Sequence, residues 1–220
     1  EALNTQGASF YIKGEYAKAI DYYTRSLKIQ EEIGDKTGIA KSLINIGLVY
    51  YKQGNLAKVI DYFTRSLKIY KEIGDKKQIT SCLGDIGIVY YKQGNYAKAI
   101  DYFSRSLKIR EEIGDKKGIA NSLNNIGNIY DDQGDYAKAI DYFTRSLKMD
   151  QELGNKSGIA TSLNSIGGNY QMQGDYAKAM DYYTRSLKIK EEIEDKKGIA
   201  SSLCNIGLIY SVQGDYTKAL

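Results

Sequence analysis

The polar residues best suited to bind a ligand lie close together, between positions 124 and 132. Asn124, Asn125 and Asn128 are followed by Asp131 and Asp132. An asparagine side chain carries two donors and one acceptor, so it pairs with both the N–H and the C=O groups of an extended backbone. In a helix, spacings of three and four residues place side chains on one face. The stretch therefore predicts a surface for holding a peptide.

Residues that would carry out catalysis are scarce. The chain has no histidine, which removes the commonest general base and metal ligand, and only two cysteines, Cys82 and Cys204. The acidic stretch DDQGD at 131–135 lacks the ligand spacing of a calcium loop. Glu111 and Glu112 are adjacent, so they point to different faces of a helix. We expect no enzyme activity, no metal and no cofactor.

Five arginines recur four residues after an aspartate, and they allow two interpretations. One is a ladder that binds phosphate groups. The other is a set of ion pairs on a helix surface, which the four-residue spacing favours. The arginines are Arg25, Arg65, Arg105, Arg145 and Arg185, and their aspartates are Asp21, Asp61, Asp101, Asp141 and Asp181.

Composition predicts the cellular setting. No run reaches the roughly 18 apolar residues that a membrane span needs, and the N-terminus lacks the basic and apolar segments of a signal peptide. Cys82 stands where other copies of the same phrase have serine, which indicates a structural role for a free thiol. We therefore predict a cytoplasmic protein that does not contact a membrane.

The whole chain repeats at a period of 40 residues without insertions. GDYAKAIDYFTRSLK at 134–148 recurs as GEYAKAIDYYTRSLK at 14–28 and GNYAKAIDYFSRSLK at 94–108. We predict one array over 1–220. Its units are 1–36 (partial), 37–76, 77–116, 117–156, 157–196 and 197–220 (partial).

Each unit is predicted to form two helices, about 39–52 and 56–73 in the second unit. Gly54 and Gly74 would end them in the left-handed conformation, and Asn55 would cap the second helix. Apolar residues of the second helix predict a core face comprising Ala57, Ile60, Phe63, Leu67 and Ile73.

Three positions have structural implications of their own. A glycine recurs in the middle of every first helix, as at Gly47, which predicts close packing of the partner helix. Glu194 replaces the glycine that ends the second helix elsewhere, so we expect a strained or reshaped turn there. Asn169 stands where other units have valine or isoleucine, and it either lines a pocket or is a tolerated defect.

The 40-residue units resemble a long form of the tetratricopeptide repeat. The pattern L-x2-I-G-x2-Y followed by A-x3-F stands as Leu123, Ile126, Gly127, Tyr130, Ala139 and Phe143. Units of this length are similar to those of kinesin light chain, Pins-type polarity adaptors and bacterial signalling arrays. The resemblance implies an all-α fold, a right-handed α-solenoid of antiparallel helix pairs (a TPR superhelix).

The resemblance also implies that the first helices line a concave groove where a peptide binds. We interpret positions that vary between units as free to contact a partner. Family adaptors use asparagine at the positions of Asn45, Asn125 and Asn205 to hold a peptide backbone, although Asp85 and Ser165 interrupt this column here. The candidate peptide-binding residues are Asn45, Tyr51, Lys52, Asp85, Tyr91, Lys92, Asn124, Asn125, Asn128, Asp131, Asn164 and Asn205.

The charge of the units changes along the chain. Unit 37–76 has seven basic and three acidic residues, net +4, and unit 77–116 has seven and five, net +2. Units 117–156 and 157–196 each have five basic and six acidic residues, net −1. We expect the earlier units to favour acidic ligand groups and the later units to be neutral or acidic.

Two functions are carried forward. The leading one is a protein–protein interaction scaffold that binds a peptide or a partner segment in the groove. The alternative is self-association, for example as a homodimer through the open ends, where Leu203, Ile206 and Tyr210 would be exposed. Nucleic acid is a weaker candidate, since the net charge is only +4 and the basic residues are not clustered, although Tyr51 and Tyr91 beside lysines would stack on bases.

Overall fold

A computed structural model of the chain describes residues 2–219, except for the side chains of Tyr216 and Lys218. Within that range the chain forms twelve α-helices and no strand. The helices are α1 Ala2–Ile12, α2 Tyr16–Ile33, α3 Lys36–Lys52, α4 Leu56–Ile73, α5 Lys76–Lys92, α6 Tyr96–Ile113, α7 Lys116–Asp132, α8 Tyr136–Leu153, α9 Lys156–Met172, α10 Tyr176–Glu192, α11 Lys196–Val212 and α12 Tyr216–Ala219. The predicted helix at 56–73 is confirmed, and the predicted helix at 39–52 begins three residues earlier, at Lys36.

The chain divides into two compact parts, which we call the N-terminal half (Glu1–Ile109) and the C-terminal half (Arg110–Leu220). Within each half, turns of two or three residues join consecutive helices. Such short connections make neighbouring helices antiparallel.

The core of the N-terminal half lies between α4 and the first helices on either side of it. Phe63 and Leu67 of α4 pack in one cluster with Leu83 and Ile86 of α5. The predicted core face of α4 was partly wrong, because Ala57 and Ile73 are exposed. Val59, which is fully buried, takes the place predicted for Ala57.

The core of the C-terminal half repeats this arrangement. Phe143 and Leu147 of α8 pack against Leu163 and Ile166 of α9. Further along, Tyr183 of α10 packs with Ile209 of α11. The same helical positions therefore supply the core of both halves.

The recurring mid-helix glycines have the steric reason that the sequence predicted. A Cβ atom at Gly47 would lie 2.6 Å from Cε1 of Phe63, and one at Gly127 would lie 2.8 Å from Cε1 of Phe143. Both distances are shorter than van der Waals contact, so a side chain at either position requires the aromatic ring to move.

The turns follow the predicted chemistry. Gly54 and Gly74 adopt the left-handed conformation, with φ of 75° and 79°, and the Asn55 side chain accepts a hydrogen bond from the Lys58 N–H. Glu194 is the only non-glycine residue with positive φ (55°) between residues 2 and 219, and α10 ends early, at Glu192. The turn at Glu194 is therefore reshaped, as one of the two predicted alternatives, and its φ lies in the region that non-glycine residues rarely adopt.

Candidate functional site

In each half, the candidate surface is the face of the first helices that does not pack against the second helices. These first helices are α3 and α5 in the N-terminal half and α7, α9 and α11 in the C-terminal half. We call this surface the variable face, because its residues differ between repeats. In the N-terminal half, Asn45 and Asp85 are half-buried on this face, and Lys52 and Lys92 are exposed. Leu48 and Ile88 are 38% and 36% exposed, so this face also presents apolar side chains to solvent.

The N-terminal half has a small, mostly apolar cavity on this face. Its volume is about 210 Å³, and it is lined by Leu48, Tyr51, Phe63, Asp85, Ile88 and Val89. The ammonium nitrogen of Lys92 lies 4.9 Å from the centre of the Tyr51 ring, a cation–π distance. In this half, the chain's own lysine therefore packs on the predicted binding tyrosine.

The other predicted tyrosine, Tyr91, is half-buried at the end of α5. Its ring centre lies 5.9 Å from that of Tyr96, with the two planes tilted by 40°. This contact orients the Tyr91 ring while leaving part of it accessible.

The C-terminal half has a second cavity, of about 330 Å³, between α7 and α9. It is lined by Asp131, Asp132, Tyr136, Gly168, Gln171, Met172 and Tyr183. The hydroxyl of the buried Tyr183 donates a hydrogen bond to Oε1 of Gln171 over 2.8 Å. Burial raises the pKa of the Tyr183 hydroxyl above its ordinary value, so this hydroxyl remains a donor at neutral pH.

Asn169 follows Gly168, which lines this cavity, and its own side chain is buried. It is 1% exposed, and its Nδ2 donates to the Ser165 carbonyl over 2.9 Å. Its side chain also hydrogen-bonds with the Asp131 carboxylate. The Oδ1 atom of Asn169 has no hydrogen-bond partner among the described residues. A polar residue has thus replaced a core valine or isoleucine at the point where an acidic residue lines a cavity.

Asp131 is held in an environment that disfavours its ionised form. Partial burial and the neighbouring Asp132 carboxylate raise the pKa of Asp131 above its ordinary value, and the hydrogen bond from Asn169 acts in the opposite direction. A carboxylate of this kind gains more from a bound cation than a fully solvated one does.

The remaining asparagines of the C-terminal half have different roles. Asn128 is exposed and Asn125 is half-buried, so both are accessible from solvent. Nδ2 of Asn205 donates to Oδ1 of Asn164 over 3.3 Å, which joins these two predicted binding residues across neighbouring first helices. Oδ1 of Asn124 is buried and has no hydrogen-bond partner among the described residues.

Within each half, the structure brings some of the predicted residues together. Tyr51 and Asp85 share the cavity of the N-terminal half, and Lys92 contacts Tyr51. In the C-terminal half the prediction included Asp131 but omitted Gly168, Gln171, Met172 and Tyr183, which line the same cavity. The adjacent departures at Gly168 and Asn169 were the sequence signal for this cavity.

The recurring arginines are occupied within the protein. All five lie 3.2–3.8 Å from the aspartate four residues earlier. Each guanidinium also lies 5.0–5.4 Å from the centre of a tyrosine ring. The structure therefore contains the ion pairs that the four-residue spacing predicted.

Two other kinds of site are missing from residues 2–219. They contain no group of three or more histidine, cysteine or acidic residues placed to hold a metal ion. None of the helices described there combines the length and the apolar character needed to cross a bilayer.

Comparisons with known proteins identify the repeat. The family profile described as tetratricopeptide repeat matches residues 1–72, 79–152 and 158–220. No sequence among the curated proteins matches the chain.

Several solved structures share the fold. The apo form of RapI has a TM-score of 0.89 and 24% identity, over 99% of this chain and 60% of RapI. A Rap protein complexed with competence and sporulation factor has a TM-score of 0.68 and 18% identity, over 99% of this chain and 70% of that protein. Nearly identical TPR-like repeats of a kinesin light chain-like protein from Podosopora anserina have a TM-score of 0.71 and 11% identity, over 87% of this chain and 95% of theirs.

At these low sequence identities, the structural similarities show the fold alone. The chain spans only 60% of RapI. The similarities confirm the predicted all-α helical-repeat solenoid and its likeness to kinesin light chain and bacterial signalling repeats.

Proposed function

We propose, from the premise that this chain belongs to the tetratricopeptide repeat family, that it is an interaction scaffold whose variable face binds an extended segment of a partner protein. The family is associated with protein binding in general. One contrast supports binding at the variable face: the buried positions are shared by all units, whereas the accessible residues of the variable face differ from unit to unit. The mechanism is recognition only, and we propose a cytoplasmic setting.

The geometry supports a peptide as the ligand. Both cavities are small, about 210 and 330 Å³, and each has room for single side chains rather than for a folded domain. Asn125 and Asn128 lie on α7, the helix that supplies Asp131 and Asp132 to the second cavity, and both are accessible from solvent. Their amide groups can pair with backbone N–H and C=O groups. The Rap protein complexed with competence and sporulation factor is a precedent for a bound factor on a solenoid of this fold.

A synthetic peptide array probed with the labelled chain tests the proposal. We expect the triple variant Tyr91→Ala/Asn125→Ala/Asn128→Ala to lose most of the bound signal, because it removes aromatic area and backbone partners from the variable face. The matched control is Thr64→Ala/Ser104→Ala/Thr144→Ala, which alters exposed residues on the second helices. Equal binding by both triple variants would refute binding at the variable face.

Self-association is a second candidate because of the surface formed by α11. Leu203 and Leu208 are 52% and 51% exposed on this surface. A cavity of about 520 Å³ lies beside it, lined by Leu203, Cys204, Gly207, Leu208, Ser211 and Ala219. A second copy of the chain that packs on this surface would bury it.

Sedimentation at several protein concentrations measures this second function. A mass that rises with concentration in the parent chain, and that stays monomeric in Leu203→Glu, would support self-association through α11. A concentration-independent monomer mass would exclude it.

A further inference from the structure

The cavity between α7 and α9 has an unusual concentration of hydrogen-bond acceptors. Asp131 and Asp132 supply carboxylates, and Oε1 of Gln171 accepts a hydrogen bond from Tyr183 and has a second lone pair. Acceptors gathered around one small space favour a ligand group that carries several donors and a positive charge.

The buried Asn169 is an observation independent of the acidic residues. Its equivalents Val49, Val89, Ile129 and Ile209 are 0–1% exposed, and each is an apolar core residue. Asn169 is equally buried, reaches the Asp131 carboxylate with its side chain, and keeps an Oδ1 atom with no hydrogen-bond partner among the described residues. A buried polar residue at a core position is costly, and its contact with the Asp131 carboxylate is what Asn169 adds at the edge of the cavity.

The N-terminal half provides an internal template for a cation at this place. Lys92 packs on Tyr51 there, with its ammonium nitrogen 4.9 Å from the ring centre. Two repeats later, 80 residues on, the same two positions are Met172 and Asp131. The C-terminal half therefore has a carboxylate, Asp131, at the position where the N-terminal half has the Tyr51 ring. It has Met172 at the position of Lys92, so the chain itself supplies no ammonium group there.

Gly168 makes room for an incoming side chain. Its equivalents are Leu48, Ile88, Asn128 and Leu208, which all carry side chains on the variable face. The nearest atom to a Cβ built at Gly168 is the Tyr183 hydroxyl oxygen, at 3.5 Å. With no side chain at this position, the hydroxyl and the Gln171 amide remain part of the cavity wall.

The lysines that begin the second helices do not serve as counter-ions for this cavity. Lys138 and Lys178 lie 2.7 and 2.8 Å from Asp135 and Asp175, the caps of α8 and α10. Their ammonium groups also lie 5.0 and 4.9 Å from the ring centres of Tyr130 and Tyr170. These contacts hold both lysines at the helix starts.

We propose that the cavity lined by Asp131, Asp132, Gly168, Gln171 and Met172 binds the side chain of a lysine or arginine from the partner peptide. This inference rests on the proposed function and names the ligand chemistry of its C-terminal half. The ammonium or guanidinium group donates to Asp131 and to Oε1 of Gln171, and its aliphatic stem packs along Met172.

Arrays of nine-residue peptides with a fixed central residue and randomised flanks test the inference. The central residue is lysine, arginine, norleucine or glutamate, and norleucine keeps the shape of the lysine stem without its charge. We expect the parent chain to bind the lysine and arginine pools about tenfold more strongly than the norleucine pool, and the glutamate pool most weakly.

Three variants locate the preference. Asp131→Asn/Asp132→Asn keeps the shape of the cavity and should reduce the lysine-to-norleucine ratio to about one. Met172→Lys introduces the residue found at Lys52 and Lys92 and should have the same effect, because the chain then supplies its own cation. Asp141→Asn removes one charge from an exposed ion pair on α8 and should leave the ratio unchanged.

The outcomes separate the two proposals. If the norleucine pools bind as well as the lysine pools, or if Asp141→Asn lowers the ratio as much as the cavity variants do, the cation inference is wrong while peptide binding stands. If no pool binds, whatever its central residue, the proposed function fails and the inference fails with it. Circular dichroism of each variant establishes that its helices are intact.

Discussion

Two glycines of α5 form a matched pair that tests the packing argument. Gly84 and Gly87 lie three residues apart in one helix, so an alanine at either position gains the same intrinsic helix preference, about 1 kcal/mol. A Cβ at Gly84 would meet no atom within 4 Å, whereas one at Gly87 would lie 2.7 and 2.9 Å from Cε1 and Cδ1 of Phe103.

These distances predict opposite effects on stability. Gly84→Ala should raise the free energy of unfolding by about 1 kcal/mol, since nothing opposes the helix preference. Gly87→Ala gains the same amount, but it forces the buried Phe103 ring out of its packed position, and overpacking of this kind costs about 1–3 kcal/mol. The two variants should therefore differ by about 1–3 kcal/mol, with Gly87→Ala the less stable.

Urea unfolding followed by circular dichroism measures the difference. Where the repeats do not unfold in one transition, hydrogen exchange of the α5 amides reports the local free energy instead. A third comparison introduces Gly87→Ala into a Phe103→Leu background. The smaller side chain relieves the contact, so Gly87→Ala should be less destabilising there than in the parent chain.

Two results would refute the reasoning. One is equal stabilisation by Gly84→Ala and Gly87→Ala, which would mean that the Phe103 ring moves at no cost. The other is the same cost for Gly87→Ala in the parent chain and in the Phe103→Leu background, which would assign the glycine requirement to something other than the ring.

Single residues elsewhere in the chain give three more predictions. Glu194→Gly should stabilise the chain by about 1 kcal/mol in thermal or urea unfolding, because Glu194 has a φ of 55° that glycine adopts freely; no change would show that the turn is not strained. Asp131→Asn should raise the melting temperature at pH 7, since burial and Asp132 raise the pKa of Asp131 and its ionised form therefore costs stability. The folded state then binds more protons than the unfolded state, so this gain should shrink as the pH falls and disappear below the ordinary pKa of 3.8; a gain independent of pH would contradict the electrostatic cause. With a thiol reagent, Cys204 should react rapidly and Cys82 only on unfolding, because Cys82 is 1% exposed and burial raises its pKa to about 11; two rapid thiols in the native chain would overturn this.

The sequence predicted the fold well because two strong signals agreed. The 40-residue period predicted helices that recur along the chain, and the glycines at turns such as Gly54 and Gly74 marked where second helices begin and end. The exposed Ala57 was mistaken for a core residue because helical spacing alone does not distinguish it from Val59, which lies two residues further on.

The candidate site was predicted less completely because cavities depend on residues from several helices. Tyr183 belongs to the buried framework by its spacing, yet its hydroxyl also forms part of the cavity between α7 and α9. Asn164 and Asn205 looked like independent ligands in the sequence, but the structure joins them by a hydrogen bond. Spacing along one helix carries no information about such contacts between helices.

Variation between repeats also proved an incomplete guide to the exposed surface. One position of the second helix differs in every unit and is nevertheless largely buried: Gln30, Tyr70, Arg110, Asp150 and Lys190. Three of these side chains reach the serine twelve residues later, over 2.6, 2.9 and 2.9 Å for Gln30, Arg110 and Lys190.

This buried position shows why exposure must be combined with variation. Asp150 accepts a hydrogen bond from Nδ2 of Asn155 over 2.7 Å, so it too is satisfied within the chain. Its neighbour Gly158 leaves the necessary space, because a Cβ there would overlap the Asp150 carboxyl group. Gln30, Arg110, Asp150 and Lys190 each have a hydrogen-bond partner within the chain, whereas the buried Tyr70 hydroxyl has none among the described residues. The residue at this position therefore varies from unit to unit without any ligand. A variable residue therefore indicates binding only where it is also accessible, as Asn128 and Met172 are and Asp150 is not.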